Sequence, residues 1–321
     1  MPSLALGPGQ AFSLAFYIIM DITRELKQPL DIPSQIERLK QHNLIIEDEE
    51  KARRTLEKLN YYRFTGYALQ FRYSENNSDL MTGTTFGMVQ RIYEFDEDLR
   101  SFLRKYIEKA EILYRTLIAY HFSLAKCKNP PYDQHYDERN FFNKKGYQEL
   151  RNHFMRDRDY YKDSLILKHH KKHYNDKLPL WAIVELISFS DLSKLYNCMY
   201  YSEKNLIATA ARTNHAVLAN NLHCLSVLRN KCAHAARLYN TTFNPPAIVS
   251  HNFLKKYPAV RNDTLFAYLI MLSRRLTDQD LQNPFVSGII ELVESYSSDI
   301  DLDLIGFPAN WKDILKWVAL P

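Results

Sequence analysis

Glycine is scarce in this chain, with 8 residues in 321, or about 2.5% where about 7% is usual. Few positions therefore suit left-handed turns or a close approach of backbone to phosphate. Neither G-x-x-x-x-G-K-[ST] nor G-x-G-x-x-G occurs, which excludes P-loop and Rossmann nucleotide binding. An all-β sandwich would lack the turns it needs. No G-x-S-x-G elbow is present, and nothing around Cys198 resembles a nucleophile site. Cysteine is sparse as well: Cys127, Cys198, Cys224 and Cys232 are scattered through a chain large enough to hold a core without disulfides. Reduced thiols and a cytoplasmic location are the expectation. The apolar run at 11–20, AFSLAFYIIM, is too short to span a bilayer, and no membrane association is expected. No Lys or Arg precedes it and Asp21 follows Met20 at once, unlike a secretory signal. Residues 1–26 read as an N-terminal extension, either unstructured or upstream of a true start at Met20.

What the chain does have is aromatics and a mild positive charge. Lys and Arg number 42 against 37 acids, a net +5, compatible with a nucleic-acid partner without requiring one. Its 22 Tyr and 17 Phe can build a thick core and can also stack on bases.

Helical periodicity dominates the patterning. Asp31-Ile32-Pro33-Ser34 places a proline where a first turn tolerates it, with Ile36 and Leu39 following at helical spacing. A second helix is predicted over 47–59, its acids Glu47, Asp48, Glu49 and Glu50 crowded at the positive end of the macrodipole. The run 60–67, NYYRFTGY, mixes aromatics with one Arg, and the polar stretch 74–84 reads as a loop. After Thr84, read as an N-cap, Ile92, Phe95, Leu99, Leu103, Tyr106, Ala110, Leu113, Leu117, Tyr120 and Leu124 form one apolar stripe. That stripe is about 60 Å long if unbroken; a bundle core and a partner interface both fit it. Asn129-Pro130-Pro131 ends it. A basic window follows, Lys168-His169-His170-Lys171-Lys172-His173, either a phosphate-binding edge through Lys168, Lys171 and Lys172 or a solvated helix end diluted by nearby aspartates. Helices are predicted after Pro179 and from Ala216 to about Ala235. The chain thus reads as all-α, with a small N-terminal helical unit over 27–75 and a helical domain over 76–321.

Residues 228–240, LRNKCAHAARLYN, carry the one constellation with evident chemistry. A histidine can take the proton of a ribose 2′-OH or return one to a leaving oxygen. An arginine fork can hold the non-bridging oxygens as charge develops on phosphorus. Arg229, Asn230 and His234 together suffice for RNA cleavage to a 2′,3′-cyclic phosphate and a 5′-OH, with no metal or other cofactor required. Geometry constrains this, because positions i and i+5 of an ideal helix lie about 140° apart. Either the helix distorts or ends near His234, or two copies of the motif meet across a two-fold axis; the homodimer is favoured. A surface arginine beside a hydrogen-bonded histidine is the plainer alternative. A zinc site from His223, Cys224, Cys232 and His234 lacks the paired short cysteine spacing such sites use.

This segment resembles the signature of bacterial abortive-infection proteins of the AbiD/AbiF type, within the HEPN superfamily. Other stretches resemble the family in the same order: 60–67, then YEFDEDLR at 93–100, LPLWAIVEL at 178–186 with SFS at 188–190, and GFPANW at 306–311. The resemblance runs from residue 27 to the C-terminus. It implies a HEPN-type helical bundle, a ribonuclease toxin used in anti-phage defence, Arg229, Asn230 and His234 as the catalytic set, and a small structured noncoding RNA as a restraining partner. The family often has His-His where this chain has His234-Ala235. Arg237 and Tyr239, in the same segment, suit phosphate contact and base stacking, or else packing of the motif helix against the loop to Pro245-Pro246. Tyr61, Tyr62 and Tyr67 around Arg63 suit clamping of single-stranded RNA, or a core wedge. A non-catalytic RNA-binding module using the same motif to hold phosphate, and a helical protein-interaction domain, are the alternative functions.

Overall fold

The structure is a computed structural model that describes residues 26–318 apart from residue 76. The expected extension, Leu26 excepted, and the question of Met20 lie outside the described residues. Among these residues there are fourteen α-helices and no strand, so the all-α expectation holds. No described helix is long and apolar enough to cross a membrane. The chain divides into two compact units, 1–86 and 87–321.

In the first unit α1 (Ile32–Gln41) starts at Asp31, whose carboxylate accepts the Ser34 N–H at 2.9 Å, with Pro33 in the first turn. α2 (Glu49–Leu56) begins two residues later than the acid cluster predicts. Asp48 serves as its N-cap, accepting from Lys51 N–H, and Glu49 and Glu50 fill its first turn. α3 (Tyr61–Tyr67) is capped by Asn60. Ile36, Leu39, Leu56, Phe64 and Tyr67 are buried, and Phe64 stacks on Phe86 with centroids 4.3 Å apart. The 74–84 stretch is irregular, but Thr84 is not a cap: its hydroxyl donates to the Met81 carbonyl.

The second unit is organised along α4 (Phe86–Lys126), a continuous helix of 41 residues. Its core face matches the predicted stripe from Ile92 to Ala110 and then departs from it. Burial passes through Tyr114, Ile118 and Phe122, while Tyr120 and Leu124 are exposed. The reason is periodic: each step of four advances about 40° around the helix, so the buried face turns steadily away from the nearly straight stripe that alternating steps of three and four trace. α5 (Lys144–Tyr160) and α6 (Leu165–His173) occupy the charged middle of the chain. The single helix expected after Pro179 is two, α7 (Leu180–Leu186) and α8 (Phe189–Cys198). Ser188 divides them, its hydroxyl capping the Asp191 N–H at 3.1 Å and donating to the Asp191 carboxylate at 2.8 Å.

α9 (Tyr201–Ala210) leads into α10 (His215–Ala233), which carries the Arg229 motif. α10 packs on α8, α9 and α12 (Leu265–Arg275), the last buried along almost its whole length. α11 (His251–Lys256) precedes α12, and α13 (Gln279–Ser295) and α14 (Trp311–Val318) complete the unit. Phe285 of α13 packs against Phe102 and Tyr106 of α4. The 306–311 segment closes over α12: Phe307 meets Phe266 at 4.7 Å and Trp311 at 5.3 Å. Gly306 has φ +77° and lies so close to Thr264 that a Cβ would collide with that side chain. Thr264 in turn caps α12 by accepting from Ala267 N–H. Gly306→Ala is expected to destabilise the protein by about 1 kcal/mol or more, through both the positive φ and the overlap, read as a lower midpoint in denaturant unfolding.

Candidate functional site

α10 ends where the motif does. His234 is its C-cap residue, Ala235 takes a left-handed conformation at φ +51°, and Ala236 N–H reaches back to the Lys231 carbonyl at 2.8 Å. This is a Schellman-type stop built on alanine rather than glycine. It leaves the His234 side chain exposed at the tip of the helix.

The chain beyond the stop is held by one carboxylate. Asp96, fully buried on α4, accepts Leu238 N–H at 3.1 Å and Tyr239 N–H at 2.9 Å, and pairs with buried Arg100 one turn on. Tyr239 is buried beside it, 1% exposed, its ring edge-on to Phe95 and its hydroxyl accepting Asp301 N–H at 2.9 Å. A base-stacking role for Tyr239 is therefore corrected to packing: its ring is spent on the interior and presents no face to a ligand. Arg237 is half-buried in the same segment.

Arg229 and Asn230 come together; His234 stands apart. Arg229 lies 3.6 Å from Glu111 of α4 through its Nε, with 43% of its side chain exposed. Glu111 also binds Arg115, which donates to the Ile187 carbonyl at the end of α7. Two guanidiniums thus share one carboxylate, leaving the local charge positive. Asn230 accepts from Arg229 and donates to the Ser190 hydroxyl of α8, each at 3.4 Å. A cleft of about 240 Å³ between α4 and α10 is lined by Arg104, Glu108, Glu111, Arg229, Cys232 and Ala233. His234 is not among its walls, in keeping with the angular separation of the two positions. The helix-end alternative raised by the spacing is realised, yet it does not bring His234 into the Arg229 cleft within one chain.

The remaining candidates are elsewhere. Lys168, Lys171 and Lys172 are exposed on α6, Lys168 pairing with Asp163 at 3.2 Å, and none lines the Arg229 cleft. Tyr61, Tyr62 and Arg63 belong to the first unit, Tyr62 exposed and the other two half-buried, while Phe64 and Tyr67 of the same run are core. Among the described residues no cluster of three or more His, Cys, Asp or Glu is placed to hold a metal ion. Cys224 and Cys232 are buried, and burial pushes their thiols up to about 11 and about 12, the opposite of what a thiolate nucleophile needs. Asp96 and Arg100 fall in the 93–100 stretch to which the sequence assigns no role, and Glu111 and Arg115 lie outside every motif. The signal was present as acid–arginine pairs four residues apart inside or beside an apolar stripe, where such charges require partners.

Two outcomes follow. Asp96→Ala strands two backbone N–H groups and a buried guanidinium, and is expected to cost about 3–5 kcal/mol in chemical denaturation. At about pH 8 a thiol reagent is expected to leave Cys224 and Cys232 unmodified in the folded chain and to modify both once denaturant is added, as mapped by peptide mass.

The family model described as Abi-like protein matches residues 54–240. That span is narrower than the resemblance, and the 306–311 segment lies beyond it. No curated protein and no solved structure matches the chain. The family match nevertheless takes in more than half of the 321 residues and the whole segment that carries Arg229, Asn230 and His234, and the chain belongs to the family of Abi-like proteins.

Proposed function

We propose that this protein is an abortive-infection endoribonuclease of the HEPN type, acting as a homodimer on RNA in the cytoplasm. Membership in the Abi-like family supports the defence role. The observation that carries the chemistry is the end of α10, where a half-exposed guanidinium and an exposed imidazole flank an abrupt helix stop.

In this reading His234 removes the proton from a ribose 2′-OH. The O2′–P bond forms as the P–O5′ bond breaks, and the departing O5′ takes a proton from an imidazolium. Arg229 holds the non-bridging oxygens, where charge develops, and Asn230 orients the guanidinium. The products are a 2′,3′-cyclic phosphate and a 5′-OH. Because Arg229 and His234 of one chain diverge, a two-fold partner completes the cleft, each copy supplying its histidine near the other's arginine. Cutting RNA halts growth of the infected cell, and a small structured RNA restrains the enzyme until then.

Labelled RNA incubated in EDTA with purified protein, followed by end-group analysis, tests the reading. Wild type is expected to leave cyclic-phosphate ends. His234→Ala should lose about 10²-fold or more of the cleavage rate while keeping RNA affinity, and Arg229→Ala should weaken both. If wild type and His234→Ala bind RNA alike and neither cuts, with phage components also supplied, the motif holds phosphate without catalysis. RNA affinity that does not fall with salt would leave only a protein-interaction role.

A further inference from the structure

The first unit contains a cationic cleft that the Arg229–His234 reading does not use. It measures about 380 Å³, within the range of small-molecule sites, and is walled by α1, α3 and the chain around Arg72 and Leu80. Lys27, Arg38 and Arg72 all line it, and among the described residues none of the three forms an ion pair. Arg38 makes only a long 3.4 Å bond to Gln41. Neighbouring cations in the same unit behave otherwise: Lys40 is bound to Glu37 and Glu49, and Arg53 to Glu50 and Glu57. One carboxylate, Asp79, bonds to a lining residue, 2.9 Å from His42 Nδ1.

Two further features mark the cleft as made for a ligand. Gln35 lines it, with Nε2 committed to the Leu30 carbonyl and a buried Oε1 that no described donor reaches. Tyr61 and Tyr62 line it from α3. Tyr62 offers an open ring, 86% exposed, at a helix start fixed by the Asn60 cap. Burial pushes the Tyr61 hydroxyl up, and the positive charges of Arg38 and Arg72 partly counter that push.

We propose that this cleft is a nucleotide site in which Lys27, Arg38 and Arg72 hold a phosphomonoester and Tyr62 stacks on the attached base. Three cations exceed what an internal phosphodiester, with its single charge, can neutralise. A monoester carries about −1.5 to −2 at neutral pH, and an arginine pair suits its oxygens bidentately. The same chemistry is presented by the 5′-phosphorylated end of an RNA and by a free nucleoside 5′-monophosphate. The inference stands apart from the cleavage reading, since it concerns other residues in another unit.

Fluorescence anisotropy with the full chain decides it. The probe is a short 3′-labelled RNA bearing either a 5′-phosphate or a 5′-OH, and the chain carries His234→Ala so that no RNA is consumed. The 5′-phosphate is expected to tighten binding about tenfold or more. A nucleoside 5′-monophosphate in large excess should erase that advantage, and the unphosphorylated nucleoside at the same concentration should not. Arg38→Ala with Arg72→Ala should abolish the preference, Tyr62→Ala should weaken binding, and Arg38→Lys with Arg72→Lys should keep part of it, because charge survives while the planar fork is lost. A monophosphate that competes as well as the phosphorylated RNA identifies the free nucleotide as the ligand; a poor competitor identifies the RNA end. Equal affinity for the two RNAs, or a preference that survives the double alanine variant with an unchanged circular-dichroism melt, overturns the proposal. Should the alanine pair not fold, the lysine pair decides: a preference equal to that of the unsubstituted cleft overturns it. Cleavage at His234, measured separately, is untouched by either result.

Discussion

A single buried carboxylate holds the candidate site in place. Asp96 has no access to solvent and bonds to two successive backbone N–H groups just past the motif and to the Arg100 guanidinium. A charge buried in this way is tolerable only when its lone pairs are filled, so the contacts stand or fall together. Their effect is to turn the chain sharply after α10 and pin it to α4. That turn is what stops the helix at His234 and leaves the imidazole outside. Tyr239 adds the apolar half of the same anchor, its ring against Phe95 and its hydroxyl on the Asp301 backbone.

Around Arg229 the electrostatics are arranged differently. Glu111 is largely buried and shared between Arg115 and Arg229. Arg115 is committed to closing the end of α7, whereas Arg229 keeps much of its side chain in solvent and is 3.6 Å from the carboxylate. A partly exposed pair at that distance is a weak one, and a phosphate could displace it at small cost. Asn230 connects the arginine to Ser190, so the first turn of α8 and the motif helix are joined by hydrogen bonds.

The first unit supplies a second concentration of positive charge with a different character. Its cations face an aromatic cleft instead of a helix end, and they lack the carboxylate partners that their neighbours have. A chain with a net charge of only +5 thus keeps two local excesses of positive charge, a pattern that composition averages away.

Much was legible from sequence because it is local. The helix start at Asp31, the polar 74–84 connection, the Ile92–Ala110 face and the placement of Arg229 and His234 on opposed sides of a helix all follow from capping chemistry and a period of 3.6 residues. Those are properties of a few neighbouring residues, and tertiary packing had no need to alter them. Where two local choices were nearly equal, packing decided: Tyr114 over Leu113 on α4, and a break at Ser188 in place of one long helix. Wholly non-local facts were out of reach. That Tyr239 is interior, that Asp96 reaches residues 142 and 143 positions away, and that Arg38 and Arg72 share a cleft depend on which surfaces meet. Burial and charge pairing are settled only when distant segments are brought into contact, and no window of sequence contains both partners.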